Sequence, residues 1–153
     1  MRLHGSAIDN LVDSQGQPPE GKGAMTDLER TKQIVVEFYQ TAMDGDPEKA
    51  ATAHLGAEYV QHNPSAEDGP EAFIGFMHFV RNRFPNLRLD IKRVIAEGDL
   101  VVVHSHMDLE PDNPGNPGQA LADIFRVDNG KVVEHWDVIQ AVPANSTNSR
   151  GMF

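Results

Sequence analysis

The stretch DIFRVDNGKVVEHWD, residues 123–137, decides how this chain folds. Its centre, Asp128-Asn129-Gly130, is turn chemistry, because Asn and Gly accept the positive φ that a tight hairpin demands. Apolar and polar residues alternate on both sides, so Leu121 to Val127 and Lys131 to Ile139 read as two antiparallel strands. Two registers are open. A two-residue Asn-Gly turn pairs Asp128 with Lys131 and Asp123 with Trp136, whereas a three-residue loop with Gly130 left-handed pairs Asp123 with His135. In the second register Leu121, Asp123, Phe125 and Val127 share a face with Val133, His135, Asp137 and Ile139. Asp123 and Asp137 then lie diagonally across neighbouring strands and point the same way.

Upstream of the hairpin the period of two continues. Leu87, Leu89 and Ile91 alternate with Arg88, Asp90 and Lys92, Glu97-Gly98-Asp99 turns the chain, and Leu100 to Leu109 forms the next strand. A Pro/Gly-rich loop, Glu110 to Gly118, leads into the hairpin. Before Pro85 the period is helical. Met25 precedes Thr26-Asp27-Leu28-Glu29, a capping box that opens a helix carrying Leu28, Ile34, Val35, Phe38, Tyr39 and Ala42 as far as Gly45. Asp46-Pro47 opens a second helix through about Leu55, and Gly69-Pro70-Glu71 opens a third that bears Phe73, Ile74, Phe76, Met77, Val80 and Phe84. Three helices followed by a meandering antiparallel sheet make the class α+β.

The bulk numbers narrow the possibilities. At 153 residues the chain forms one domain, read here as residues 25–143 with tails at 1–24 and 144–153. Residues 1–24 hold only Ile8, Leu11 and Val12 as scattered apolar side chains, too few to repay ordering. With 23 acidic against 13 basic residues the formal charge is −10, which opposes nucleic-acid phosphates and anionic membranes alike. Absence of cysteine removes disulfides and thiolate chemistry, and no apolar export segment is evident, so a cytoplasmic protein is expected. The terminal Met152-Phe153 is apolar enough to pack over a neighbouring subunit or the mouth of a pocket, although frayed ends are common.

The candidate chemistry is acid/base. Asp123 and Asp137 beside His135 on an apolar face form a plausible site, since burial raises one carboxyl pKa while hydrogen bonding holds another ionised. The plainer reading is a pair of solvated or hydrogen-bonded strand residues. His104 and His106 alternate on one face of their strand, but Val101, Val103, Met107 and Leu109 have the stronger claim to the core. His62-Asn63-Pro64, after Tyr59-Val60, reads as a strand end or turn able to bring an imidazole and an amide to a pocket rim. Schiff-base chemistry needs a desolvated lysine, and neither Lys92 nor Lys131 reads as buried.

Tyr59 to Pro64, together with Asp123 to Asp137, resembles the SnoaL-like polyketide cyclases of the nuclear-transport-factor-2-like superfamily. The resemblance extends over about Asp27 to Val142. It implies a cystatin-like, cone-shaped α+β roll with N-terminal helices packed on a curved antiparallel sheet; a homodimer through the outer face of that sheet is expected as well. It also implies ring closure by intramolecular aldol chemistry with no cofactor and no metal, and an acid/base Asp at Asp137. The family's second polar residue, a histidine, falls here on Asp123, so that His104, His106 or His135 takes the donor role or the reaction differs. The expected catalytic set is therefore Asp137, Asp123, His104 and His106, with His62, Asn63, His135, Phe125 and Tyr59 binding a small-molecule substrate. Isomerisation and dehydration suit the same residues.

Two other readings compete. Gly98, His104, His106, Glu110 and Gly118 are similar to the first metal motif of the cupins, with the final spacing one residue too long and the second motif missing. A non-enzymatic module could instead hold an apolar ligand in the same cavity.

Overall fold

A computed structural model describes residues 25–153; the N-terminal tail assigned to residues 1–24 lies outside the described residues. Thr26 caps α1 (Asp27–Met43), its Oγ1 accepting from the Glu29 amide at 3.2 Å. The Glu29 carboxylate pairs with Lys32 at 2.7 Å. Asp46 accepts from the Lys49 amide at 3.1 Å, and Pro47 occupies the first turn of α2 (Pro47–His54), where its missing N–H costs nothing. After β1 (Leu55–Gln61), helix α3 (Pro70–Arg83) again begins with proline. The remaining elements are β2 (Arg88–Glu97), β3 (Leu100–Asp108), β4 (Gln119–Asp128) and β5 (Lys131–Ala141).

The sheet order is β1-β5-β4-β3-β2. Strands β2 to β5 form the expected antiparallel meander, and β1 adds an edge parallel to β5. From sequence only a strand end or turn is expected near Tyr59, because LGAEYVQ lacks a clean alternation and its partner lies more than seventy residues downstream.

The hairpin corrects both proposed registers. Asn129 and Gly130 have φ of 48° and 75°, as a two-residue turn requires, and Asp128 pairs with Lys131. A bulge follows between Arg126 and Val127, after which Arg126 faces Glu134 and Phe125 faces His135. One extra residue in β5 shifts every later pair, so Asp123 lies directly opposite Asp137 rather than opposite His135 or Trp136. The bulge also turns Val132 inward, where it is fully buried, in place of the expected Val133.

The helices cover the concave side of the sheet. Val35, Phe38, Tyr39 and Ala42 of α1 pack with Val101, Val103, Phe125 and Val127 in one core. Phe38 joins the layers, with its ring 5.1 Å from Phe73 and 6.0 Å from Phe125 between centroids. The C-terminal residues turn back onto the convex side, where Phe153 contacts His104 and His106 of its own chain at 5.7 and 4.7 Å between ring centroids. The apolar end therefore lies away from the mouth of the pocket.

Gly118, at the entry to β4, has φ of 83°, and a Cβ there would lie 2.7 Å from the Met107 carbonyl oxygen. Left-handed backbone and contact with main chain cannot both be relieved by a side-chain rotation. We expect Gly118→Ala to lower stability by about 1–3 kcal/mol. A urea midpoint equal to that of the parent chain would contradict this.

Candidate active site

Between α1, α3 and the sheet lies a cavity of about 210 Å³. Phe73, Phe76, Met77 and Val80 of α3 supply apolar wall, because helical spacing turns them to one side. The polar wall is built from the strands. Asp123 of β4, His135 and Asp137 of β5, and Gln61 of β1 open onto the cavity, as does Asn63 just beyond β1.

Asp123 is only 2 % exposed. Its Oδ2 accepts the Tyr39 hydroxyl at 3.0 Å, and its Oδ1 lies 3.1 Å from His135 Nε2. Burial pushes its carboxyl above the ordinary value of 3.8, and its contacts with His135 and Tyr39 offset that rise only in part. Burial likewise raises the Tyr39 and Tyr59 hydroxyls, so each stays protonated. Asp137, half-buried on the facing strand, accepts from the Asn63 amide at Oδ2. That amide is oriented in turn, since Asn63 Oδ1 accepts from the Ser65 N–H at 2.8 Å.

His135 is flanked on both ring nitrogens. Nδ1 lies 3.0 Å from Gln61 Oε1, and the ring stacks on Phe125 at 4.7 Å between centroids. Asp123, His135 and Asp137 each offer one ligand atom within 4.8 Å of the others, which makes them the one metal-compatible constellation among the described residues.

Of the expected site residues, Asp123, Asp137, His135, Asn63, Phe125 and Tyr59 meet at this cavity. His104 and His106 do not. Their strand alternation places Val101, Val103, Ser105 and Met107 inside, leaving both histidines on the convex side. There His104 Nδ1 accepts from Arg93 at 2.7 Å and His106 Nε2 donates to the Pro117 carbonyl at 2.9 Å. His62 is also on that side, stacked on Trp136 at 4.7 Å and bonded to Glu134 at 2.9 Å. Glu110 belongs to a surface loop and accepts from Asn116, so the cupin-like set of His104, His106 and Glu110 does not assemble. Lys131 bonds the Ala53 carbonyl at 2.7 Å and Lys92 pairs with Asp90 at 2.6 Å, leaving neither in the cavity.

Tyr39 and Gln61 take part although neither is expected there from the sequence. Gln61 could have been found from alternation, because Tyr59, Gln61 and Asn63 follow one another at a period of two. Tyr39 carried no such signal within an apolar helical stripe.

A helix-covered, curved sheet with a polar constellation at the inner wall defines an α+β roll of the nuclear-transport-factor-2-like kind. Residues 35–135 match the SnoaL-like domain, and the chain belongs to that family. A protein from Acidithiobacillus ferrooxidans assigned as a polyketide cyclase shares 21 % identity over 75 % of this chain and 91 % of its own, with a TM-score of 0.61. A Bacillus cereus protein with the same assignment shares 18 % identity over 72 % of this chain and 74 % of its own, with a TM-score of 0.63. TsrD from Streptomyces laurentii shares 25 % identity over 74 % and 90 %, with a TM-score of 0.60. No curated protein gives a significant match. Among the described residues no helix is long and apolar enough to cross a membrane.

Proposed function

We propose that this chain catalyses acid/base chemistry on a small or polycyclic carbonyl compound, with Asp137 as the base and Asp123 as the proton donor. The observation that carries this reading is the facing of two carboxyls with unlike surroundings. Asp123 is enclosed and held toward its neutral form, whereas Asp137 borders the open cavity with one oxygen bound to Asn63. Such a difference divides acid from base.

In the first step Asp137 removes a proton from carbon next to a carbonyl, the C–H pair becomes the enolate, and Asp123 delivers its proton to the enolate oxygen. The enol formed can attack a second carbonyl, shift a double bond or expel a β-hydroxyl, which are the cyclase, isomerase and dehydratase outcomes. Of the histidines expected to orient the substrate, His135 alone borders the cavity. The apolar walls also suit a module that binds without turnover.

The common first step can be tested without the native substrate. Protein in deuterium oxide is mixed with a panel of 2-alkyl β-keto esters, and loss of the C2 proton is followed by NMR. Catalysed exchange suppressed by a non-exchanging cyclic ketone is the expected result. Saturable binding across the panel with no exchange above background would replace catalysis by the binding-module reading.

We further propose a homodimer through the convex face. Val138 and Ile95 are 68 % and 58 % exposed there, beside Trp136. Val138→Asp should convert a dimer to a monomer in sedimentation-velocity runs; a monomeric parent chain at tens of micromolar would refute the assembly.

A further inference from the structure

The hydrogen-bond pattern around His135 places a proton. Gln61 can be oriented without ambiguity, because its Oε1 accepts from the Asn63 backbone N–H at 2.9 Å. Exchanging its oxygen and nitrogen would set an NH₂ against that N–H, donor against donor. The same Oε1 lies 3.0 Å from His135 Nδ1, and a carbonyl oxygen can only accept. Nδ1 therefore carries hydrogen.

In a neutral imidazole with hydrogen on Nδ1, the other nitrogen is an acceptor. That nitrogen, Nε2, faces Asp123 Oδ1 at 3.1 Å, and an ionised carboxylate is also an acceptor. One proton must lie between them. Tyr39 already donates to Oδ2, so it does not supply that proton. Either Asp123 is the neutral acid or His135 is the imidazolium. In a site this enclosed, separated charges lose hydration, and the neutral arrangement is favoured.

We propose that Gln61 is a positioning residue: its carbonyl oxygen holds His135 in the Nδ1–H tautomer, so that the shared proton resides on Asp123 as the acid for a substrate oxygen. This rests on the acid/base reading above and adds what keeps its acid charged with a proton. An incoming carbonyl oxygen competes with His135 Nε2 for the Asp123 O–H. When the enolate forms, that O–H bond breaks and the proton passes to substrate oxygen. The resulting carboxylate keeps its Tyr39 hydrogen bond, and the proton taken by Asp137 balances the one delivered.

The titratable groups facing this pair are few among the described residues. Asp137 stands on the same strand as His135, Tyr39 reaches Asp123 from α1, and Tyr59 approaches from β1 through Gln61. Helix α3 presents apolar side chains to the cavity.

The test is a two-bond nitrogen–proton NMR spectrum of the full ¹⁵N-labelled chain at pH 7, with His135 assigned by its loss in His135→Gln. The expected spectrum shows Nδ1 protonated and Nε2 bare. Gln61→Leu should lose that preference and lower β-keto ester exchange by about 10²–10⁴-fold, the usual worth of a general acid. Gln61→Glu should protonate both ring nitrogens, moving the proton from Asp123 to the imidazole, and shift the acid limb of the pH–rate profile. A parent chain with hydrogen on Nε2, or with both nitrogens protonated, overturns the proposal. So does an unchanged tautomer in Gln61→Leu, or a stoichiometric transition metal in untagged protein that occupies Nε2 in place of the proton. The spectrum of the parent chain decides the question even if Gln61→Leu fails to fold. The expected tautomer without any exchange activity would remove the catalytic reading and leave the proton placement intact.

Discussion

Asp137→Asn lowers catalysed C2 exchange of a responsive β-keto ester by about 10²–10⁴-fold, the range spanned by positioned general bases. Its fold is retained. An amide has the shape of the carboxyl it replaces and can turn its oxygen toward the Asn63 donor, so the contact at Oδ2 survives. The residue borders the cavity instead of filling the core, which leaves the packing of α1 on the sheet unchanged. The thermal midpoint should accordingly stay within a few degrees of the parent value. Full exchange activity in a folded Asp137→Asn protein would remove this carboxylate from the mechanism.

Asp123→Asn produces the second large effect, and it divides stability from activity. In its neutral form the aspartic acid accepts from Tyr39 and donates to His135; asparagine can do both. It has no transferable acidic proton, so exchange falls by about 10²-fold or more while the fold persists. Asp123→Ala, by contrast, strands the Tyr39 hydroxyl and the His135 ring, at a cost of about 1–3 kcal/mol for each buried group left unpaired. The pH dependence follows from the raised carboxyl. Above its ordinary 3.8 the unfolded chain has released this proton and the folded chain retains it. Folding thus takes up a proton at Asp123, and the stabilisation attached to it is full below 3.8 and declines as pH rises through the folded value. Each unit of elevation is worth about 1.4 kcal/mol. Relative to Asp123→Asn, the parent chain should therefore lose stability as pH increases from 4 toward neutrality, measured by urea unfolding at several pH values. Parallel curves would mean that Asp123 does not hold its proton on folding.

Much of the helical layer could be read without coordinates. Thr26, Asp46-Pro47 and Pro70 mark helix starts through local hydrogen bonding and proline's fixed φ, and Val35, Phe38 and Ala42 announce the buried side by their spacing. The same local logic found the meander and the Asn129-Gly130 turn. Strand β1 was harder, since its parallel pairing with β5 joins segments far apart in the chain.

Asp123, Asp137, His135, Asn63, Phe125 and Tyr59 were legible as a group because alternation and the family motif both pointed to them. Alternation alone could not say which side of the sheet faces the helices. His104 and His106 therefore entered the expected site, and the burial of Val101, Val103 and Ser105 placed them outside it. His62 was lost for a related reason: at the end of β1 it stacks on Trp136 instead of turning inward.

Residue identity and period by themselves determined that this chain makes helices and then a hairpin-ended sheet, with two acids and an imidazole near the turn. Tertiary structure decided how those three groups meet. The bulge at Val133 set Asp123 opposite Asp137, and α1 brought the Tyr39 hydroxyl to one carboxyl. Strand β1 brought Gln61 to the far side of His135. A tight turn is encoded by its own residues, but a bulge and a cross-element hydrogen bond depend on which distant segments pack together, and neither leaves a period in the sequence.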